Sequence, residues 1–338
     1  MASEGIRVGI LGAGSIAGTM ATTIRLMNEG GEHCAELYAV ASRSQEKADT
    51  FAAEYAVPKA FGSYEAMLAD DNIDLVYIAT PHSEHYRCAM MCIDAGKAVL
   101  CEKAFTVNAL QAVKLCAHAE EKKILLTEAI WTRYMPMRQI IHDAVRSGKV
   151  GTPQTITANL SYKISQNRRM TDPMLAGGSL LDVGVYTLNF AEMIFGRADS
   201  VNARCTYTST GVDETDSVFL TWKDGKTAHL TAGMKARGDR KGIIYCTDGY
   251  IIVENINNPQ SVAIFDDNDQ LIEKTNCPAQ FTGYEYEVIE AADALRKGLT
   301  ECKSMPHDES IHMMELMDHI RAQFGVKYPF EEQIHWTE

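Results

Sequence analysis

The residues best suited to proton transfer are Asp182 and Tyr186, in the glycine-opened apolar stretch 177–195. They are four residues apart, so an α-helix there would place both on one face. Such a pair can move a proton at a reacting hydroxyl. The alternative is a buried tyrosine with a satisfied hydroxyl group and an aspartate that favours the helix dipole. The residues alone leave both interpretations open.

A second candidate is Lys103, which follows Glu102 directly after an apolar strand, as Thr80, Pro81 and His82 follow another. Ligands of open parallel sheets bind at the carboxyl ends of strands, so both segments are candidate cofactor contacts. A partly desolvated lysine near a positively charged nicotinamide has its ammonium form disfavoured, and its charge can stabilise a phenolate or alkoxide. A plain surface lysine is the alternative.

The cofactor itself is indicated by the segment IRVGILGAGSIA, residues 6–17. An apolar strand, a G-x-G-x-x-A turn and a following helix are the context in which backbone N–H groups and a helix dipole bind a dinucleotide pyrophosphate. An ordinary glycine turn is the alternative. The residues assigned to this contact are Gly12, Gly14, Ser15, Ile16 and Ala17.

Cofactor preference is expected at the end of the second strand, which holds Ser42 and Arg43 in place of the carboxylate typical of NAD sites. An arginine can fork onto a ribose 2′-phosphate, and a serine can donate to it. These residues therefore predict NADP, with NAD as the alternative in which Arg43 is a solvated residue at a helix start.

No metal site is expected. His82, His85 and Glu84 do not have the H-E-x-x-H spacing, so helix capping or hydrogen bonding to substrate is favoured over a metal, and both histidines are assigned to the cofactor site. The nine cysteines form no C-x-x-C pair, and Cys88, Cys92, Cys101 and Cys116 fall on apolar faces, as expected of reduced core thiols.

The elements that must position these groups change in kind along the chain. Apolar strands and helices alternate up to residue 128, which predicts a doubly wound parallel sheet of the Rossmann type in a dinucleotide-binding domain, residues 1–128. Beyond it, alternating patterns and hairpin turns at 223–225 and 247–249 predict an α+β domain, residues 129–338. We expect its mostly antiparallel sheet to be open on one face, and an amphipathic helix over 308–324.

Composition excludes several classes of function. The 338 residues carry a net charge of −13, and the 32 basic residues are scattered, so no stripe exists to bind a nucleic acid backbone. No apolar run is long enough for a membrane span, and the first residues lack a signal peptide pattern. We therefore expect a cytoplasmic protein that binds neither nucleic acid nor membrane.

In their order along the chain, these motifs resemble those of the glucose–fructose oxidoreductase / inositol dehydrogenase / MocA (Gfo/Idh/MocA) family. The resemblance spans nearly the whole chain and is strongest to the branch containing dimeric dihydrodiol dehydrogenase and D-xylose dehydrogenase, which use NADP. The segments that carry it are Gly12–Ala17, Thr80–His82, Glu102–Lys103, Glu128–Arg133 and Gly177–Tyr186.

The resemblance implies that Lys103 is the lysine of the family's E-K-P motif, that Tyr186 is the acid/base and that Asp182 is its companion. The sequence departs from the motif at Ala104, where proline is usual and would favour an extended backbone at the lysine. The resemblance also makes Trp131, Arg133 and Tyr162 candidate walls for a polyhydroxylated substrate, because aromatic faces pack on sugar C–H groups and arginine donates to hydroxyls.

The expected activity is reversible oxidation of a secondary alcohol of a sugar, polyol or cyclic diol, with Tyr186 assisted by Lys103 and Asp182. Two alternatives share the fold: a glycosidase that uses tightly held NAD in a transient oxidation, and a dinucleotide-binding sensor without turnover. The open sheet face predicts a homodimer or homotetramer.

Overall fold

The computed structural model describes residues 5–331 as two compact units. The first comprises residues 5–134 and 280–312, and the second residues 135–279 and 313–331. The expected boundary after residue 128 divides the chain differently, because residues 129–134 and 280–312 group with the first unit.

Strands and helices alternate in the first unit as expected. Its elements are β1 (Ile6–Leu11), α1 (Ser15–Glu29), β2 (Ala35–Ala41), α2 (Gln45–Tyr55), β3 (Lys59–Phe61), α3 (Tyr64–Leu68), β4 (Leu75–Ile78), α4 (His82–Asp94), β5 (Ala98–Glu102), α5 (Ala109–Lys122) and β6 (Leu126–Ala129), followed by a short 3-10 helix (Trp131–Arg133).

The six strands form one parallel sheet in the order β3-β2-β1-β4-β5-β6, which confirms the Rossmann-type sheet. Strands β4 and β5 are buried along their whole length, as expected of a sheet covered on both faces. Short polar side chains start several helices: Ser44 accepts from Lys47 N, and Asn108 from Gln111 N. The strand β3, of three residues, lies at one edge of this sheet.

The second unit is built on a larger sheet. Its elements are α6 (Pro136–Arg146), β7 (Pro153–Ser161), α7 (Arg168–Thr171), a 3-10 helix (Pro173–Leu175), a π-helical segment (Leu180–Gly184), α8 (Val185–Phe195), β8 (Ser200–Tyr207), β9 (Asp213–Thr221), β10 (Thr227–Gly233), β11 (Gly242–Cys246), β12 (Gly249–Glu254), β13 (Ser261–Asp266) and β14 (Leu271–Asn276).

These eight strands pair in the order β14-β13-β12-β11-β7-β10-β9-β8, and every pair except β7 with β10 is antiparallel. Along β10, Ala228, Leu230 and Ala232 are buried while His229 and Thr231 are exposed, so the alternation marks a covered and an uncovered face. Helix α8 packs on β7 and β10. The mostly antiparallel sheet is therefore confirmed.

Two further helices complete the chain, α9 (Glu285–Arg296) and α10 (His307–Phe324). The segment 280–312 is joined to the first unit by many contacts: Thr282 hydrogen-bonds Thr23 at 2.8 Å, Arg296 donates to Cys34 O at 2.9 Å, and Leu126 N donates to Thr300 O at 3.0 Å. The last contact satisfies a backbone group of the edge strand β6. The predicted C-terminal helix is present, whereas α9 had no counterpart in the sequence analysis.

Candidate active site

The turn after β1 requires glycine at its first position. Gly12 has φ +104°, a region that residues with side chains rarely adopt, and a Cβ there would lie 2.7 Å from Ala79 O. Gly12 N donates to Ala41 O at 2.9 Å, and Ala79 N donates to Leu11 O at 2.8 Å. The turn is thereby fixed between the ends of β2 and β4, at the position where the strand order reverses.

The next glycine leaves space for a ligand. Gly14 is the N-cap of α1 without a side-chain hydrogen bond to the helix, and a Cβ there would meet nothing within 4 Å. Gly14 and Ser15 are exposed, Ile16 is half-buried and Ala17 is buried. The first N–H groups of a 15-residue helix thus face open space, an arrangement that fits a pyrophosphate.

At the end of β2 the two specificity candidates differ in exposure. Ser42 is buried, and its N–H donates to Phe61 O at 3.0 Å. Arg43 is exposed and precedes Ser44, which caps α2. The Arg43 side chain is therefore accessible from solvent, whereas the Ser44 hydroxyl oxygen accepts a hydrogen bond from Lys47 N at the start of α2.

After β4, the candidates form a connected group. His82 starts α4 and is buried, and the ring of His85 lies 2.8 Å from Ala104 O through Nδ1 and 2.9 Å from Thr80 O through Nε2. Burial lowers the pKa of His85, although both carbonyl groups favour the protonated ring. His85 joins the loops after β4 and β5, and its direct contact with a cofactor stays a prediction.

Thr80, in the first of these loops, has a buried hydroxyl oxygen without a hydrogen-bond partner among residues 5–331. Pro81, its neighbour, is the N-cap of α4. An unsatisfied buried hydroxyl at the carboxyl edge of a parallel sheet fits a polar ligand there. Together with the open space at Gly14, it shows that the residues of this edge are suited to a dinucleotide.

Lys103 is half-buried at the end of β5, next to the buried Glu102. Glu102 accepts hydrogen bonds from the Tyr77 hydroxyl and, at 3.2 Å, from the backbone N–H of Lys103. The peptide bond between Lys103 and Ala104 is cis. Glu102 thus holds the backbone of Lys103, a role that the sequence did not indicate.

Two more buried carboxyl groups belong to the first unit. Burial raises the pKa of Glu128 in β6 to about 7, although the Arg133 guanidinium and the polar groups of Ser310 and Phe105 favour its ionised form. Burial and the charge of Glu102 also hold the pKa of Glu287 in α9 well above its usual range. Sequence analysis missed Glu287, because a helical glutamate carries no signal of burial.

The two substrate candidates in the segment Glu128–Arg133 are both buried. Trp131 stacks on Tyr284 with ring centroids 4.0 Å apart and planes 8° apart, and only 5% of it is exposed. Arg133, 3% exposed, pairs with Glu309 at 3.0 Å. Both side chains join this segment to residues 280–312, and their contact with substrate stays a prediction.

In the second unit, Asp182 and Tyr186 are both buried at the start of one helix. The expected continuous α-helix is wrong in its first turn, which is π-helical from Leu180 to Gly184, with Val185 N donating to Leu180 O. Asp182 accepts a forked pair of hydrogen bonds from Arg169, at 2.8 and 3.3 Å. A π-helical turn is frequent at functional sites.

Arg169 is the residue of this group that sequence analysis missed. It precedes Asp182 by 13 positions in the short helix α7, where only its charge distinguishes it. Tyr162, the remaining substrate candidate of this unit, is half-buried and accepts a hydrogen bond from Asn257 Nδ2 at 3.1 Å. The Arg240 guanidinium lies 5.7 Å from the centre of its ring.

The structure offers neither a metal site nor a membrane-spanning helix in the part of the chain that it describes. Within residues 5–331, no group of three or more His, Cys, Asp or Glu side chains has an arrangement that would hold a metal ion. All nine cysteines are free thiols. Among the same residues, none of the helices combines the length and apolar character of a transmembrane span.

Comparison with known proteins gives the same family for both parts of the chain. Residues 6–129 match the family model of the GFO/IDH/MocA oxidoreductases with an NAD-binding Rossmann fold, and residues 139–252 match the model of the GFO/IDH/MocA C-terminal domain. The trans-1,2-dihydrobenzene-1,2-diol dehydrogenase of Mus musculus is 31% identical over 340 residues, covering 97% of this chain and 99% of that protein. The enzyme of the same name from Xenopus tropicalis is 34% identical over 301 residues, covering 87% and 91%.

Among solved structures, the 3-ketoreductase KijD10 from Actinomadura kijaniata, in complex with NADP and TDP-benzene, is similar with a TM-score of 0.85 and 25% identity, covering 95% of this chain and 98% of that one. The aldose-aldose oxidoreductase from Caulobacter crescentus shares the fold, with a TM-score of 0.83 and 20% identity over 95% and 97% of the two chains. With both domains matched, the chain belongs to the Gfo/Idh/MocA family of NAD(P)-binding oxidoreductases.

Proposed function

We propose that this protein is an NADP-dependent dehydrogenase that oxidises a secondary alcohol of a cyclic diol or sugar, with Tyr186 as the acid/base. The observation that carries the proposal is the buried start of α8, where Tyr186 follows the Asp182 carboxylate that Arg169 neutralises. A phenol beside a fixed ion pair is suited to proton transfer because its surroundings need not reorganise.

The cofactor residues are proposed from the first unit. Gly12, Gly14 and the first N–H groups of α1 would hold the pyrophosphate, and the Thr80 hydroxyl would donate to the bound dinucleotide. The exposed guanidinium of Arg43 would bind the 2′-phosphate that distinguishes NADP from NAD. KijD10 was crystallised with NADP, which favours the same preference.

When bound, the nicotinamide ring supplies the hydride acceptor at its C4. In the oxidising direction, the Tyr186 phenolate would take the proton of the substrate hydroxyl, and the carbon that bears this hydroxyl would give up the hydride. The net change would convert an alcohol and NADP⁺ into a carbonyl, NADPH and a proton. Lys103 is proposed as the group that stabilises the negative charge that develops in the reaction. Asp182, held by Arg169, orients the tyrosine.

The proposed substrate class rests on the names of the relatives. The proteins from Mus musculus and Xenopus tropicalis are named for a cyclic trans-diol, and the protein from Caulobacter crescentus for aldoses. We propose Tyr162 as a substrate contact, because it is half-buried and carries a polar hydroxyl group. Trp131 and Arg133 are also proposed as substrate contacts, and both are more deeply buried than Tyr162.

The test is NADP reduction at 340 nm, with trans-1,2-dihydrobenzene-1,2-diol and a panel of aldoses and inositols as substrates. We expect turnover by the wild type and a loss of at least a hundredfold in Tyr186→Phe with NADP binding unchanged. Tyr245→Phe, which alters an exposed tyrosine in β11, is the matched control. Undiminished turnover by Tyr186→Phe removes Tyr186 from the mechanism. Sugar release without net NADPH favours the glycosidase, and dinucleotide binding without turnover favours the sensor.

We further propose that the chain forms a homodimer or homotetramer through the uncovered face of the second unit's sheet. That face includes a shallow cavity of about 510 Å³ bordered by Asn202, Arg204, Phe219 and His229. The rings of Phe219 and His229 lie 4.7 Å apart on it. Light scattering of the wild type and of Phe219→Asp tests this proposal, because a buried carboxylate at a self-association interface is unfavourable.

A cytoplasmic location is proposed on the cysteines. Nine thiols, all free, suit a reducing compartment. Fractionation of cells that express the tagged chain tests this location, and recovery outside the cytoplasmic fraction contradicts it.

A further inference from the structure

A buried carboxyl pair lies in the second unit and has no part in the proposed chemistry. Asp213 and Asp216, both in β9, are exposed by 0% and 1%. Side chains three residues apart normally point to opposite faces of a strand. In β9 the register with β8 shifts, because Asp213 lies opposite Tyr207 and Thr215 opposite Thr206, which leaves Glu214 as an extra residue. This bulge turns both carboxyl groups to the buried face.

The bulge directs Asp213 at the turn from which the Tyr186 helix starts. The backbone N–H of Leu180 donates to Asp213 Oδ2 at 2.6 Å. A Cβ on Gly178 would lie 2.3 Å from Asp213 Oδ1, and Gly178 has φ +127°, so glycine is needed for this approach. The carboxylate thus caps the first helical N–H groups, where a negative charge also favours the dipole.

The same turn is held from its other side. Gly178 N donates to Met170 O at 2.9 Å, next to Arg169, and the Tyr328 hydroxyl donates to Gly177 O at 2.9 Å. The turn is therefore fixed by α7, by β9 and by the C-terminal part of the chain. Of these three contacts, only that of Asp213 is made to the N–H group of a helical residue, Leu180, which lies two positions before Asp182.

The neighbours of Asp213 decide its charge. Burial raises its pKa, whereas the N–H groups of Leu180 and Ser179 and the Arg321 guanidinium favour the carboxylate. Burial and the charge of Asp213 hold the pKa of Asp216 well above its usual range. Near the pair, the pKa values of the Cys205 thiol and the Tyr328 phenol are both raised, in each case chiefly by burial. Asp213 therefore has hydrogen-bond donors and a cation that favour its carboxylate, whereas ionisation of Asp216 is strongly disfavoured.

We propose that Asp213 is a positioning residue for the reaction: its carboxylate fixes the Gly177–Leu180 turn and so places Asp182 and Tyr186. This inference rests on the proposed role of Tyr186 as the acid/base. Asp213 contacts neither substrate nor cofactor in this proposal and acts only through the turn.

The test compares Asp213→Ala, Asp213→Asn and Asp216→Asn with the wild type, using the compound that the wild type turns over fastest in the 340 nm panel. We expect kcat to fall at least about tenfold in Asp213→Ala, because this variant loses a hydrogen bond to a charged group. The fall should be smaller in Asp213→Asn, which keeps an oxygen acceptor. The dissociation constant of NADP stays unchanged. Asp216→Asn keeps the shape and an oxygen acceptor of its side chain and leaves the Asp213 contact with Leu180 in place, so kcat should stay within about twofold of wild type.

Amide hydrogen exchange gives a second readout that does not need turnover. Peptides covering 177–186 should exchange faster in Asp213→Ala, less so in Asp213→Asn, and at the wild-type rate in Asp216→Asn. If Asp213→Ala does not fold, the comparison of Asp213→Asn with Asp216→Asn decides, because both are isosteric changes in one buried pair.

Equal losses in Asp213→Asn and Asp216→Asn overturn the proposal, as do unchanged kcat and exchange in Asp213→Ala. Tyr186→Phe, assayed in parallel, separates the two levels. If Tyr186→Phe loses turnover and Asp213→Ala does not, the positioning role alone is wrong. If Tyr186→Phe keeps full turnover, the proposed role of Tyr186 is wrong and the positioning role is overturned with it.

Discussion

Arg169 and Asp182 form a forked ion pair, with Nη1–Oδ1 at 2.8 Å and Nη2–Oδ2 at 3.3 Å. The Asp182 side chain is 9% exposed and the Arg169 side chain 37%, so the carboxylate is the buried partner. Because a buried charge without a partner is costly, the arginine compensates the charge of the buried Asp182 carboxylate.

Replacing Arg169 by alanine should therefore lower both stability and activity. We expect a loss of about 1–2 kcal/mol in the free energy of unfolding, less than for a fully buried pair because Arg169 is partly exposed. We expect kcat to fall at least about tenfold, and Arg169→Lys to be intermediate because it lacks the fork. Urea unfolding and the 340 nm assay measure these effects.

The neighbouring Arg168 supplies the matched control. Its side chain is 84% exposed and pairs with Asp172 at 2.9 Å. Arg168→Ala should change the free energy of unfolding by less than about 0.5 kcal/mol and leave kcat unchanged. Equal effects of the two alanine substitutions would show that the forked pair has no special role.

Gly12 and Gly14 should respond differently to alanine. Gly12→Ala meets both a positive φ and a contact of 2.7 Å with Ala79 O, so we expect destabilisation of about 1–3 kcal/mol. Gly14→Ala places its methyl group in open space and should leave thermal stability unchanged, yet weaken NADP binding at least about tenfold. Calorimetric unfolding measures the stability of both variants, and calorimetric titration with NADP measures their affinity for the cofactor. Wild-type NADP affinity in Gly14→Ala would place the pyrophosphate elsewhere.

Arg43 should govern the choice between NADP and NAD. Loss of a guanidinium contact with the 2′-phosphate in Arg43→Ala should weaken NADP binding at least about tenfold and leave NAD binding unchanged. Arg25→Ala removes another exposed arginine, paired with Glu29 at 2.7 Å, and controls for the change in net charge. An unaltered ratio of the two dissociation constants would exclude Arg43 from cofactor selection.

Glu128 should make the folded protein less stable as the pH rises. Its pKa is about 7 in the folded state against 4.5 in the unfolded chain, so the folded state binds the extra proton between these values. The contribution of Glu128 to the free energy of unfolding is fully present below pH 4.5. It falls by about 3 kcal/mol as the pH rises to 7. Glu128→Gln lacks this titration.

Urea unfolding from pH 4.5 to 8 measures the effect as the difference between Glu128→Gln and wild type, which should shift in favour of the variant as the pH rises. Glu121→Gln, which changes an exposed carboxyl group in α5, controls for the loss of one charge. A difference that stays constant over this range would contradict the assigned burial effect.

Much of the first unit was determined by local sequence. The strand β1, the glycine turn and helix α1 follow each other as the sequence predicted, because apolar periodicity and the conformational freedom of Gly12 are short-range properties. The covered face of β10 was likewise predicted from its alternating residues. The candidate residues Lys103, Asp182 and Tyr186 came from motifs that are continuous in the chain.

Tertiary structure alone decided which distant residues support them. Three contacts are of this kind: Arg169 donates to Asp182, Glu287 lies near Glu102, and Asp213 accepts from the backbone N–H of Leu180. The sequence around these residues gives no sign of the contacts. The assignment of residues 280–312 to the first unit is of the same kind. Burial, bulges and ion pairs depend on how separate elements pack, and that packing energy is a property of the whole fold and not of any local pattern.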